Sequence, residues 1–244
     1  MKLYLASHNP DGVPLNFSAL VGSNRRVAVI ANARDGTTEK QRGEALVREI
    51  DQLSAIGLVC EELDLRRYFD RTKSLDDEIQ RFGVIWAMSG NAFVLRRAMR
   101  YSGLDVILAA LLRETEIVYG GCSAGAVVAG PTLHGIDLVD NPYEVPSKYK
   151  TPVIWTGLGL VPYRIAPHFR SRNSQTFAIE RVVDYFAMHK VEYRTLSDGQ
   201  AIVVDGDVEH LRDLRAPELI SLASHHPMEW SMAQMAPDTG IDRR

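Results

Sequence analysis

Cysteine is scarce. Only Cys60 and Cys122 occur in 244 residues, too few and too far apart for a disulfide framework or a CxxC redox pair. Sparse cysteine fits a reducing compartment. There is no HExxH and no paired Cys/His spacing, so no metal site is expected. No glycine loop of the phosphate-cradling kind stands out, and no cofactor is expected. No apolar run approaches the length of about 18 residues that a membrane span needs. The first residues, Met1-Lys2-Leu3-Tyr4-Leu5-Ala6-Ser7, lack the apolar core of a signal peptide. Together these absences lead us to expect a cytoplasmic protein without a membrane partner. Positive charge is not in excess either: the net charge is −3, which gives no electrostatic footprint for nucleic acid. Internal repeats and low-complexity segments are also missing.

What remains is ordinary globular composition, 45% hydrophobic and 24% charged. The length suits one α/β domain over residues 1–244, with a polar, frayed tail from about 234. Apolar runs of strand length alternate with helix-period segments. Strands are predicted at residues 3–7, 26–33, 58–65, 84–88, 117–121 and 164–167. The run RVAVIANA is apolar from Val27 to Ala31 and carries the β-branched Val27, Val29 and Ile30, as a strand buried on both faces does. Helices are predicted at 38–57, 75–82, 91–103, 104–114, 123–130 and 174–190. Residues 131–163 read as irregular. Two further strands, 192–196 and 200–204, flank the turn pair Asp198-Gly199. Such alternation predicts a mainly parallel sheet flanked by helices on both faces.

The segment with chemistry in it is Tyr119-Gly120-Gly121-Cys122-Ser123-Ala124-Gly125-Ala126. Gly121, Ser123 and Gly125 make G-x-S-x-G, placed between a predicted strand and a predicted helix, as a nucleophile elbow requires. The bland reading is a small-residue turn where helix meets sheet. Cys122 competes as nucleophile, but a motif centred on it has Ala124 where the second glycine should be. Centred on Ser123, both glycines are present.

A serine hydroxyl needs a base. Of seven histidines, His168 closes the run Tyr163-Arg164-Ile165-Ala166-Pro167-His168 at the end of a predicted strand, where open α/β sheets place their sites. His134, in the irregular segment, is the alternative. His8, His189, His210, His225 and His226 have weaker placement. A carboxylate should orient the imidazole. Asp198 fits the order Ser…His…Asp, and Asp205 and Asp207 are alternatives; taken alone, Asp198-Gly199 reads as turn chemistry. Ser89-Gly90-Asn91 sits at another strand end. It serves either as a second oxyanion donor through Gly90 or as a helix cap through Asn91.

Four blocks in order, SGNAF (89–93), GCSAGA (121–126), IAPHF (165–169) and LSDGQAIVV (196–204), resemble the peptidase E (aspartyl dipeptidase) family of serine peptidases. The resemblance implies a class I glutamine amidotransferase-like, flavodoxin-like three-layer fold. It implies Ser123 as nucleophile, His168 as base and Asp198 as third member, with the Gly90 and Ala124 amides as oxyanion hole. This chain departs from the family's Gly-Gly-Asn at Ser89, and offers aspartate where well-known members use glutamate. The expected substrate is a small peptide with a free N-terminus, with an N-terminal aspartate among the candidates. An acidic residue would need a cation, for which Arg164, Arg170 and Arg172 flank His168, with Asn91 a further contact. The expected state is monomer or homodimer. Rival readings are an amidase or esterase on a non-peptide substrate, and a non-catalytic binding module on the same fold.

Overall fold

A computed structural model describes residues 1–8, 15–213 and 220–221. The expected frayed tail, with His225 and His226, lies outside the described residues. The chain opens with β1 (Lys2–Ala6), α1 (Leu15–Leu20) and β2 (Arg26–Ile30), a continuous run buried on both sides after its first residue. Helix α2 (Glu39–Ala55) starts at Thr38. The Thr38 hydroxyl accepts from the Gln41 N–H while the Gln41 side chain reaches back to the Thr38 N–H, a reciprocal cap. Then come β3 (Val59–Glu62), α3 (Thr72–Ile79) and β4 (Val84–Ala87). Helices α4 (Ala92–Ser102) and α5 (Leu104–Glu114) meet at Gly103, and β5 (Val118–Cys122) runs straight into the short α6 (Ala124–Val127). The last elements are β6 (Arg164–Ala166), α7 (Thr176–Met188), β7 (Tyr193–Thr195), β8 (Gln200–Asp205), β9 (Val208–Asp213) and β10 (Ile220–Ser221).

Eight strands form one sheet in the order β10-β9-β8-β1-β5-β4-β2-β3. The run β1-β5-β4-β2-β3 is parallel, and β8, β9 and β10 join antiparallel. Strand side chains alternate between faces, and two cores result. Leu3, Leu5, Ile30, Ile85 and Tyr119 face Leu75 of α3, Phe93 of α4, Leu108 of α5 and Val182 of α7. Tyr4, Val27, Val29, Trp86 and Val118 face Phe17 of α1 and Leu53 of α2. The result is a three-layer, flavodoxin-like α/β sandwich, its mainly parallel sheet as the alternation predicts and its layered fold as the family resemblance implies.

Three expectations need correction. The predicted helix 123–130 stops at Val127, because the carbonyls of Val128, Ala129 and Gly130 turn outward to accept from the backbone N–H groups of residues 158–161. The 164–167 strand does not join the main sheet: β6 pairs in parallel with β7 in a separate two-stranded sheet. The strands around Asp198-Gly199 are therefore not partners of one another, since β8 pairs with β1 and β9. Beyond these, α1, β9 and β10 were not anticipated.

Candidate active site

The C-terminal ends of β1, β4 and β5 lie side by side and carry Ser7, Ser89-Gly90 and Ser123. Ser123 sits at φ 50°, ψ −104°, a conformation that costs a non-glycine residue about 1–3 kcal/mol. Its flanking glycines explain the motif sterically. A Cβ on Gly121 would lie 2.4 Å from the Gly125 carbonyl carbon, and one on Gly125 would lie 2.2 Å from the Ala87 carbonyl oxygen. The elbow is pinned by the Ser123 N–H on the Ala6 carbonyl (2.9 Å) and by the buried Tyr119 hydroxyl donating to the Gly125 carbonyl (2.7 Å).

His168 follows β6 with φ 62°. Its N–H donates to the Ser7 hydroxyl oxygen at 2.8 Å, and its carbonyl accepts from the Thr176 hydroxyl at 3.1 Å. The imidazole Nε2 is 2.9 Å from the Ser123 hydroxyl oxygen, and Nδ1 is 2.7 Å from Asp198 Oδ1. That same carboxylate oxygen accepts from the Ser7 hydroxyl at 2.8 Å and from the His8 N–H at 3.2 Å. Ser7 thus bridges the His168 backbone and the Asp198 carboxylate. The Asn173 side-chain nitrogen also lies 3.1 Å from His168 Nδ1. The amide nitrogen can only donate and would need a bare Nδ1, whereas the charged carboxylate at 2.7 Å accepts from Nδ1–H and is the stronger partner. Nδ1–H therefore faces Asp198, which leaves the Nε2 lone pair toward Ser123.

Electrostatics agree with that tautomer. Burial pushes the His168 imidazole below its ordinary value, against the raising pull of Asp198. Burial would raise the Asp198 carboxyl, but hydrogen bonds from Ser7 and His168 outweigh it and hold the group below the usual carboxylate range. At neutral pH the imidazole is neutral and the carboxylate ionised.

The other sequence candidates sit as follows. Gly90 has φ 151°, and a Cβ there would lie 2.4 Å from the Ala33 carbonyl oxygen. Neither its N–H nor that of Ala124 donates to another described residue. Asn91 caps α4 by accepting from the Phe93 and Val94 N–H groups. Its side-chain nitrogen donates to the Asn141 carbonyl and to Glu144, so the carboxamide is fully engaged. Cys122 packs on the opposite face of the sheet, among Tyr4, Ala6 and Trp86. Its thiol donates to the Ser7 carbonyl, and burial pushes it well above the ordinary thiol value. His134 stacks on Trp155. Asp205 pairs with Lys2 at the start of β1, the far end of the sheet from Ser123, and Asp207 follows it in the β8–β9 turn. Arg164 lies over the Phe186 ring, Arg170 over Phe169, and Arg172 is exposed.

A cleft opens at Ser123 and Ala124. Val127, Ile136, Val139, Pro167 and Ile179 form its apolar wall, and Asp140 and Gln175 are its other polar members. Its space for water-sized molecules is about 20 Å³, room for about one water. Arg164, Arg170 and Arg172 do not line it. Among the described residues, no group of three or more His, Cys, Asp or Glu is placed to hold a metal ion, and no helix is long and apolar enough to cross a membrane.

Residues 16–212 match the model of peptidase family S51. The chain belongs to peptidase family S51. Membership places it among peptidases of the serine hydrolase class. It is 27% identical over 155 residues to an uncharacterized peptidase of Listeria innocua, covering 62% of this chain and 68% of that one. It is 30% identical over 128 residues to peptidase E of Streptomyces coelicolor, covering 50% and 49%. A probable alpha-aspartyl dipeptidase of Drosophila melanogaster matches at 29% over 128 residues, 50% of each chain. The chain thus spans about half the length of these last two. Among solved structures, a candidate peptidase E from Listeria monocytogenes superposes with a TM-score of 0.70 at 22% identity, covering 87% of this chain and 98% of that one. A peptidase from an acI-B1 actinobacterium gives 0.60 at 15% identity, covering 90% and 96%. Both likenesses are of fold.

Ser7, Asp140 and Asn173 were not singled out from sequence. Ser7 had a signal: it is the polar residue ending an apolar strand, where α/β sites gather. Asp140 had none, since it lies in a segment without periodicity.

Proposed function

We propose that this chain is a serine peptidase acting on short peptides through an acyl-enzyme, with Ser123 as nucleophile, His168 as general base and Asp198 as the group that orients and stabilises the imidazolium. The observation that carries this reading is the continuous relay of 2.9 Å and 2.7 Å from a hydroxyl on a strained elbow. The Ser123 oxygen attacks the peptide carbonyl carbon while its proton passes to His168 Nε2. The oxyanion is received by the unengaged N–H groups of Gly90 and Ala124, each such donor contributing about 2.7–4 kcal/mol to the transition state. His168 then protonates the leaving amine, the C–N bond breaks, and the acyl group stays on Ser123. Water attacks that ester with His168 again as base, releasing the acid and restoring the hydroxyl.

The test is covalent labelling. A fluorophosphonate should attach to Ser123. Ser123→Ala should lose both labelling and dipeptide turnover, while Cys122→Ala should keep most of each. Label on Cys122, or turnover surviving in S123A, would refute the assignment.

A further inference from the structure

Among the described residues, the cleft beside Ser123 has one charged wall residue, and its sign is negative. Asp140 Oδ2 accepts from the Ala92 N–H at 2.8 Å. The other oxygen has no hydrogen bond or ion pair among the described residues, yet it is not sealed from solvent. Apart from Ser123 and Gln175 the walls around it are apolar, and among the described residues no arginine or lysine lines the cleft. Desolvation of a carboxylate in such surroundings is costly unless a cation or donors compensate.

The carboxylate is also held in place deliberately. The loop bearing it is tied to α4 through the Asn91 side chain, which donates to the Asn141 carbonyl at 2.9 Å and to Glu144 at 2.8 Å. Arg97, fully buried, directs its guanidinium to the same loop. It donates to the carbonyls of Pro142 (2.6 Å), Glu144 (3.1 Å) and Pro152 (3.0 Å). A buried arginine whose donors go to loop carbonyls fixes backbone, and so fixes where Asp140 stands.

We infer that Asp140 receives the α-ammonium group of the substrate residue whose carbonyl Ser123 attacks, and that the cleft selects small neutral N-terminal residues over acidic ones. This rests on the peptidase reading above. The α-ammonium lies two bonds from the scissile carbonyl, so a carboxylate in the wall of the nucleophile's own cleft is suitably placed. The small free space favours a short side chain. An aspartyl side chain entering there would meet a like charge and no cation among the described residues. Burial pushes the Asp140 carboxyl up to about 6, so it is still ionised at neutral pH and gains from a cationic partner.

The experiment measures kcat/KM of the full chain on Ala-Leu, Asp-Leu, N-acetyl-Ala-Leu and N-acetyl-Lys-Leu, alongside fluorophosphonate labelling of the unmodified protein. Ala-Leu should exceed Asp-Leu at least tenfold, and acetylation should abolish its turnover. Asp140→Asn keeps an acceptor for the Ala92 N–H but removes the charge. It should lower kcat/KM on Ala-Leu roughly tenfold to a hundredfold and narrow the gap to Asp-Leu. Preference for Asp-Leu, tolerance of N-acetyl-Ala-Leu, or an unchanged D140N would overturn the inference. Cleavage of N-acetyl-Lys-Leu in place of Ala-Leu would also overturn it, by moving the contact to a side-chain cation. The dipeptide comparison in the unmodified protein stands even if D140N does not fold. Labelling at Ser123 with the wrong substrate order sinks this inference alone; no labelling and no turnover sinks the peptidase reading as well.

Discussion

Ser7→Ala is the sharpest test of how the relay is held. The Ser7 side chain is fully buried and makes two bonds with one oxygen. It donates to Asp198 at 2.8 Å and accepts from the His168 N–H at 2.8 Å. Loss of a hydrogen bond to a charged acceptor is worth about 1.5–3 kcal/mol, and a buried N–H left unpaired adds about 1–3. Partial relaxation makes the sum an upper bound, so we expect a stability loss of about 2–4 kcal/mol in urea denaturation. Catalysis should change in a way that plain destabilisation would not produce. Without the hydroxyl, the Asp198 charge is less dispersed and pulls harder on the imidazole. The His168 pKa rises, and the acid limb of kcat/KM moves to higher pH. We expect kcat to fall roughly tenfold to a hundredfold with KM little changed, as for a positioning residue whose loss misorients the base. The assay is a pH–rate profile on a cleavable dipeptide, taken below the variant's melting temperature. A variant that loses stability but keeps the parent's kcat and acid limb would refute the positioning role.

Two further outcomes follow from the site. In the unmodified protein the base works only as neutral imidazole, so activity should persist downward past pH 6.5 and fall through a lower value, because burial depresses His168. Asp140, raised to about 6 chiefly by burial and also by nearby Glu144, must be ionised to hold a cation; its protonation should add a second component near pH 6, absent from D140N profiles, and an acid limb with its midpoint above 6.5 would contradict both. Gly125→Ala places a methyl 2.2 Å from the Ala87 carbonyl oxygen, a backbone atom that cannot rotate away; we expect about 2–3 kcal/mol of destabilisation and slower labelling of Ser123, and an unperturbed variant would refute the steric reading of the motif.

The layered fold was legible because the signals behind it are local. A β-branched-rich run such as 26–33 predicts a buried strand, and apolar residues at helical spacing over 38–57 predict a helix. Ser123 was legible for the same reason, since G-x-S-x-G describes one turn of chain. Asp198 was not distinguishable from turn chemistry by its own residues, and it does both jobs: its backbone makes the turn while its side chain meets His168. What the residues could not reveal was pairing. Residues 192–196 and 200–204 read like neighbours around Asp198-Gly199, yet they belong to different sheets, and only long-range contacts decide that. Asp140 was illegible because residues 131–163 carry no period. Its position comes from Arg97 and Asn91, some forty to fifty positions away in sequence.

The reversal of one strand explains how the relay closes. Four segments meet at the site, carrying Ser7, Ser123, His168 and Asp198. Ser7 and Ser123 share it because β1 and β5 are parallel neighbours, with Ala6 opposite Cys122. Asp198 joins them because β8 is antiparallel to β1, which puts Ala201 beside Ala6 and Asp205 beside Lys2. Had β8 run parallel, the residues before it would lie at the other end of the sheet, about four residues or 13 Å away. Within the relay, Ser123 and His168 both hold positive φ, a strain of about 1–3 kcal/mol each. Such strain persists only where the surroundings over-determine the backbone. Strand β5 meets that condition, being paired on both edges, with Gly121 in register with Leu5 and with Ala87. The nucleophile therefore sits at the end of a strand held from both sides, which keeps the strained elbow from relaxing.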